Sequence, residues 1–315
     1  MTTAIAHPNI ALVKYWGKQD KPGNVPATPN LSITLSNLTT TTTIQTLDSN
    51  AGQDEIFPNG VHVDDQKIAQ FLSAFRSSFN FEPVKISSDN NFPTGAGLAS
   101  SASGFAALVV ALNEHFKLTL DREMLSEWAR LGSASAARSL FGGYVALVPP
   151  LWQAQPLASE SHWPLQVVVG ISSQATKAVS STQGMNLSRA SSPYYSSWVR
   201  DAGDDFAEAT DAINARDFAK LAHIAELSCL KMHSVMLTTT PTLSYWNSTT
   251  LTAMDAIREL RAQGTEVFFT VDAGPQIKAV CNPEHTETVE KVLAELPGML
   301  STVVCDLGPG AQIQA

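Results

Sequence analysis

The sequence predicts a mixed α+β protein, with two lobes and a cleft between them. Three observations carry this expectation. At 315 residues the chain exceeds the usual size of a single domain. Short apolar runs alternate with period two, as half-buried antiparallel strands do, while other segments repeat with helical spacing. The 44% hydrophobic content is enough for substantial cores. The lobes are expected to divide as residues 1–178 and 179–315.

Each element follows in order. Residues 5–15 read as one strand that ends in the turn Trp16-Gly17-Lys18, and 31–35 and 40–47 alternate as strands. The threonines at 39–43 are β-branched and fit a strand better than a low-complexity patch. Ile68, Phe71, Leu72 and Phe75 give 64–79 a helical spacing. A short strand at 84–88 feeds a Gly/Ser loop and a buried helix through 105–112. Asp121 caps a helix over 121–131, with Glu123 in its first turn. Gly142-Gly143 turns the chain into a strand reaching Val148. Residues 149–164 read as irregular, 165–171 as an apolar strand, and 172–193 as a polar, mobile loop. Helices at 196–215, 218–236 and 248–263 then alternate with strands at 267–271 and 301–305.

Composition narrows the function. With 29 acidic and 20 basic residues the net charge is −9, which argues against a nucleic-acid or membrane-surface binder. Cys229, Cys281 and Cys305 have no metal-ligand spacing and suit reduced thiols. No secretory leader pattern and no membrane-length apolar run is present, so a cytoplasmic protein is expected.

The most informative segment is NNFPTGAGLASSASG, residues 90–104. Small residues let a backbone approach a ligand closely, and the helix that follows offers unpaired N–H groups and a positive dipole end. Together they suit a phosphate. No Gly-Lys-Ser/Thr follows, so this is not a Walker A loop. Ser100 occupies the third glycine position of the dinucleotide fingerprint, and Glu114 falls in the wrong context for its acid. A plain small-residue helix start packed under a sheet is the ordinary alternative.

Four further segments carry candidate chemistry. NIALVKYWGK (9–18) holds Lys14, which strand alternation turns toward solvent, and Lys18, which follows a glycine and can reach an anion. Both also read as surface lysines. In GSASAARS (132–139), Arg138 has few local partners, leaving its planar fork for a carboxylate or phosphate. VFFTVDAGP (267–275) ends an apolar strand in Asp272, either a turn residue or a carboxylate that accepts a proton from a substrate hydroxyl. Residues 180–193 offer hydroxyls and Arg189, either to fold over phosphates or as a solvated loop. The seven histidines form no zinc pattern, and no Gly-x-Ser-x-Gly elbow appears.

In combination, NIALVKYWGK, the 90–104 loop, the 133–138 segment, SSTQGM, SYWNSTT and VDAGP closely resemble the diphosphomevalonate decarboxylases. These belong to the galactokinase–homoserine kinase–mevalonate kinase–phosphomevalonate kinase (GHMP) superfamily. The resemblance implies a two-lobed GHMP-kinase-like fold with mixed and antiparallel sheets. It also implies ATP- and Mg2+-dependent conversion of mevalonate 5-diphosphate to isopentenyl diphosphate by a cytoplasmic homodimer, with no nucleic-acid or membrane partner. Related decarboxylation of the 5-phosphate, phosphorylation alone, or a non-catalytic binding protein are the alternatives; Asp272 favours decarboxylation.

By the same resemblance Asp272 orients or deprotonates the C3 hydroxyl, and Arg138, steadied by Asn9, grips the substrate carboxylate. Substrate binding falls to Tyr15, Trp16, Gly17, Lys18, the turn Ser133, Ala134, Ser135, Ala136 and Ala137, and Ser191 and Ser192. ATP binding falls to Lys67, Asn91, Pro93, Gly95, Ala96, Gly97, Leu98, Ala99, Ser100, Ser101 and Ser103. No dedicated protein metal site is implied; magnesium arrives with ATP, near Ser101. One departure is ATPNLS (27–32) in place of the more usual Asn-Ser-Ser-Leu-Ser, at the pocket edge.

Overall fold

The computed structural model describes residues 1–48, 52–93 and 97–314, so Gly95 and Ala96 fall outside the described residues. The expected first strand is in fact two. β1 (Thr2–Ala6) and β2 (Asn9–Val13) belong to different sheets. Pro8 lies between them, where a residue without an N–H cannot continue a ladder. β3 (Asn30–Thr34), β4 (Thr40–Thr46) and β5 (Glu55–Pro58) follow, then α1 (Gln66–Phe79). Asp65 caps α1 by accepting from the Lys67 and Ile68 N–H groups at 2.9 and 3.0 Å.

β6 (Val84–Asn90) leads through the small-residue loop into α2 (Ser100–His115). This helix is apolar nearly all round and is buried from Phe105 to Leu112. α3 (Arg122–Gly132) is capped by Asp121 and runs into a 3-10 helix, Ala134–Leu140, that bears Arg138. β7 (Tyr144–Leu147), β8 (Ala154–Ala158) and β9 (Gln166–Ile171) complete the first part of the chain. β8 lies inside the stretch expected to be irregular.

Half of the expected mobile loop at 172–193 is a helix, α4 (Ser181–Ser191), whose start is capped by Ser180. Its sequence lacks an apolar stripe because it buries only Gly184, Met185 and Ser188. α5 (Tyr195–Ala215), α6 (Phe218–Leu237) and α7 (Ser248–Ala262) precede β10 (Val267–Val271) and β11 (Ile277–Cys281). α8 (Thr286–Ala294), β12 (Ser301–Asp306) and β13 (Gln312–Ile313) close the chain.

Among the described residues three sheets result, ordered β13-β1-β4-β6-β5, β2-β3-β7-β8 and β10-β11-β9-β12. Only the β5–β6 pair is parallel among the described residues, so mixed and antiparallel sheets are both present. β9 sits between β11 and β12 in the third sheet. α1, α2 and α3 pack over the first sheet around Phe71, Phe75, Phe105 and Leu108. A second core joins β2, β3 and β9 to α5 and α6 through Ile10, Leu12, Val167, Ile213 and Leu221. Each such side chain contributes about 1.5–3 kcal/mol when taken fully out of water. β2 is buried along its whole length, which leaves it no solvent face.

Candidate active site

The ends of these elements enclose a cavity of about 760 Å³. Its wall carries Lys14, Lys18, Lys67, Arg138 and Lys177, against one described acid, Asp272. In a chain of net charge −9, this concentration of cations marks a site for a highly anionic ligand.

Asp272 follows the fully buried strand β10, and its backbone carbonyl accepts the Gly274 N–H at 2.8 Å, forming a tight turn. Two lysines divide the carboxylate. Lys14 Nζ lies 2.5 Å from Oδ1, and Lys278 Nζ lies 3.2 Å from Oδ2. Burial alone would raise the Asp272 pKa, but the two ammoniums outweigh it and hold the carboxyl well below the usual range. Lys14 is not turned to solvent: it is 1% exposed, because β2 has both faces covered. Ser228 Oγ on α6 fixes its backbone by accepting the Lys14 N–H at 2.9 Å.

Arg138 is 2% exposed and is held by neutral oxygens. Its Nε donates to Ser32 Oγ at 2.9 Å, Nη2 to Asn9 Oδ1 at 3.0 Å, and Nη1 to Asn30 Oδ1. Asn9 is itself aimed by donating to the Ser135 carbonyl and Ser139 Oγ. Burial lowers the guanidinium pKa to about 10, with Asp272 and Tyr15 opposing the shift, so it stays charged at neutral pH. The departing segment at 27–32 therefore supplies two of the arginine's three holders.

The loop ends with Gly97 (φ +89°) and Ala99 (φ +56°), the latter capping α2 without a side-chain hydrogen bond. A Cβ on Gly97 would lie 2.7 Å from Gly274 Cα, so only glycine allows the loop to touch the aspartate turn. The start of α2 thus opens onto the cavity, with Gly97, Ala99 and Ser101 on its wall. Burial lowers the pKa of Lys18, Lys67 and Lys177, which favours an anion as partner. Lys177 donates to Ser181 Oγ and to the Ala273 carbonyl, tying α4 to the aspartate turn. The Tyr15 hydroxyl is buried with no partner, and burial raises its pKa, so it remains a protonated donor.

Of the residues expected from sequence, the cavity wall brings together Asn9, Tyr15, Trp16, Lys18, Lys67, Gly97, Ala99, Ser101, Ser133, Ala134, Ser135, Arg138 and Asp272. Others lie elsewhere among the described residues. Ala136 and Ala137 are buried, as are Leu98 and Ser103, whose Oγ bonds Thr40 Oγ1. Asn91 bonds Thr39 N and Asn37 O, and Pro93 is off the wall. Gly17 packs under Tyr195, behind the wall, while Ser100 starts α2 beside it. Ser191 and Ser192 stand at the far end of α4, bonded to residues 187, 238 and 240. Ser180, Ser181 and Thr182, at the near end, take the wall position instead. Sequence reasoning missed Lys278, Lys177, Asn30 and Ser32. A lysine inside the apolar strand IKAVC was a readable sign of a paired buried charge.

Among the described residues, the one His/Cys/Asp/Glu group with metal-ligand proximity is Glu266, Glu284 and His285, and none of these lines the cavity. No described helix is long and apolar enough to cross a membrane.

Two domain families match the chain. The diphosphomevalonate decarboxylase-like N-terminal domain covers residues 6–154, and the mevalonate 5-diphosphate decarboxylase C-terminal domain covers 167–303. Diphosphomevalonate decarboxylase mvd1 of Aspergillus fumigatus is 34% identical, over 94% of this chain and 80% of that protein. Among solved structures, MDDEF in complex with MVAPP, AMPPCP and magnesium is similar at a TM-score of 0.92 and 34% identity, over 99% of this chain and 98% of that one. The mevalonate diphosphate decarboxylase of Staphylococcus aureus also gives 0.92 at 34% identity, over 100% and 98%.

Proposed function

The chain belongs to the diphosphomevalonate decarboxylase family, and we infer that it converts mevalonate 5-diphosphate and ATP to isopentenyl diphosphate, ADP, phosphate and carbon dioxide. The carrying observation is the cation-lined cavity in which Asp272, Arg138 and the open start of α2 meet. The related complex with MVAPP, AMPPCP and magnesium supports the same ligand pair here.

In this reading ATP phosphorylates the tertiary C3 hydroxyl, phosphate departs, positive charge grows at C3, and the neighbouring carboxylate leaves as carbon dioxide. Phosphoryl transfer has a loose transition state, so alignment and charge matter more than proton removal. A carboxylate held far below neutral pH is a weak base. Asp272 therefore aligns the hydroxyl and stays anionic beside the growing cation, an electrostatic role. Arg138 orients the substrate carboxylate. Lys18, Tyr15, Ser133 and Ser135 hold the diphosphate, while Lys67 and the start of α2 receive the triphosphate. Magnesium, when bound, neutralises triphosphate charge. The wall's one described carboxylate is already shared by two lysines, so the ion would arrive as cargo of ATP, and the Ser101 hydroxyl on the wall would serve it as a neutral ligand.

The reading includes a cytoplasmic homodimer. Buried, unpaired Cys229, Cys281 and Cys305 support a reducing compartment, and sedimentation tests the dimer. Carbon dioxide release with ATP, measured on the 5-diphosphate and the 5-phosphate, tests the whole proposal. The 5-diphosphate should turn over. Release from the 5-phosphate alone would reassign the substrate, and phosphorylation without release would make the protein a kinase.

A further inference from the structure

Lys278 has no place in the chemistry above, yet it is the most completely buried cation of the site, at 0% exposure. It sits on β11 opposite Thr270 of β10, so the hairpin returns it to the aspartate turn. Its Nζ makes two contacts. One is Asp272 Oδ2 at 3.2 Å; the other is the Gly97 carbonyl at 3.0 Å. The two backbones it spans also touch directly, at Gly97 and Gly274.

We propose that Lys278 is a positioning residue that locks the nucleotide loop to the catalytic carboxylate, so that ATP binding and Asp272 alignment are coupled. The proposal rests on the functional reading of Asp272 and of the loop. Lys14 already balances Asp272, so a second ammonium is surplus to neutralisation. A surplus buried cation costs stability unless its geometry is used. What Lys278 adds is the tie to Gly97, which Lys14 does not make. Coupling of this kind is reciprocal: whatever fixes the loop fixes the carboxylate, and the reverse.

The test is Lys278→Met, which keeps most of the side chain's length and removes its charge. Asp272 then retains Lys14, so the fold should persist with an unchanged or higher melting temperature. The KM for ATP should rise roughly tenfold, as expected for losing a hydrogen bond from a charged donor. The KM for the phosphorylated substrate should hold. The acid limb of kcat should move upward in pH, since Asp272 loses one of the charges holding it ionised. Lys14, Lys177, Arg138, Cys229 and His233 also face that carboxylate and stay in place.

An unchanged ATP KM and acid limb would overturn the proposal. So would a fall in melting temperature that lowers every kinetic parameter together. If Lys278→Met does not fold, Lys278→Gln keeps a neutral donor for Gly97, and it should retain ATP affinity while the acid limb still moves. An immobile limb there overturns the proposal too. If the wild-type protein releases no carbon dioxide, the functional reading fails by itself, and AMPPCP affinity of Lys278→Met still tests the tie to the loop.

Discussion

Asp272 and Arg138 share one cavity, yet they are held in opposite ways. The aspartate lies between two ammoniums, so its charge is more than balanced before any ligand arrives. The arginine is ringed by amide and hydroxyl oxygens of Asn9, Asn30 and Ser32, which orient its charge without cancelling it. The first arrangement fixes a protonation state. The second leaves a cation uncancelled, which in the proposed reaction receives the substrate carboxylate. In the proposed reaction, placing both on one wall separates the group that stabilises positive charge at C3 from the group that anchors the leaving carboxylate.

The comparison breaks most sharply at the aspartate. Asp272→Asn keeps the side chain's shape and removes its charge, so kcat should fall roughly 10³-fold while substrate affinity changes little. Single-turnover carbon dioxide release with a parallel binding isotherm reads both, and near-normal turnover would remove Asp272 from the centre.

At the arginine, Arg138→Lys keeps the charge and discards the fork. At least one of three buried acceptors loses its donor, at about 1–3 kcal/mol each, and kcat/KM should drop roughly 10²-fold. A loss of only a few-fold would mean that charge, not orientation, is what the ring of oxygens preserves.

The smallest effect lies where the loop meets the aspartate turn. Gly97→Ala imposes a Cβ at φ +89° and 2.7 Å from Gly274 Cα. Strain of about 1–3 kcal/mol should raise the ATP KM by roughly tenfold. Gly203→Ala on α5, where a Cβ meets nothing within 4 Å, should leave it unmoved.

Much of this was legible in the residues. Periodicity and one capping signal located α1, α3 and β10, because each rests on local chemistry: the apolar spacing of α1, Asp121 as the cap of α3, and VFFTV as an unbroken apolar run. The loop before α2 and the arginine in its small-residue turn were also readable as anion chemistry. Tertiary context decided the rest. Alternation sent Lys14 to solvent, but β2 is buried on both faces and slips register between Ala11 and Val13. α4 escaped notice because its burial is slight, and its polar contacts, such as Trp16 Nε1 to Ser188 Oγ at 3.0 Å, come from distant parts of the chain. Lys278 meets Asp272 only because β10 and β11 form a hairpin, and IKAVC by itself signals a buried charge without naming its partner.

The break at Pro8 has a practical outcome for anyone heating this enzyme. Ala6 is packed under the helices of the first sheet, and Asn9, beyond only His7 and Pro8, steers the guanidinium. So short a lever transmits any loosening of the N-terminal layer to the pocket. Thermal inactivation should therefore track melting of that layer, with the pocket as its indicator.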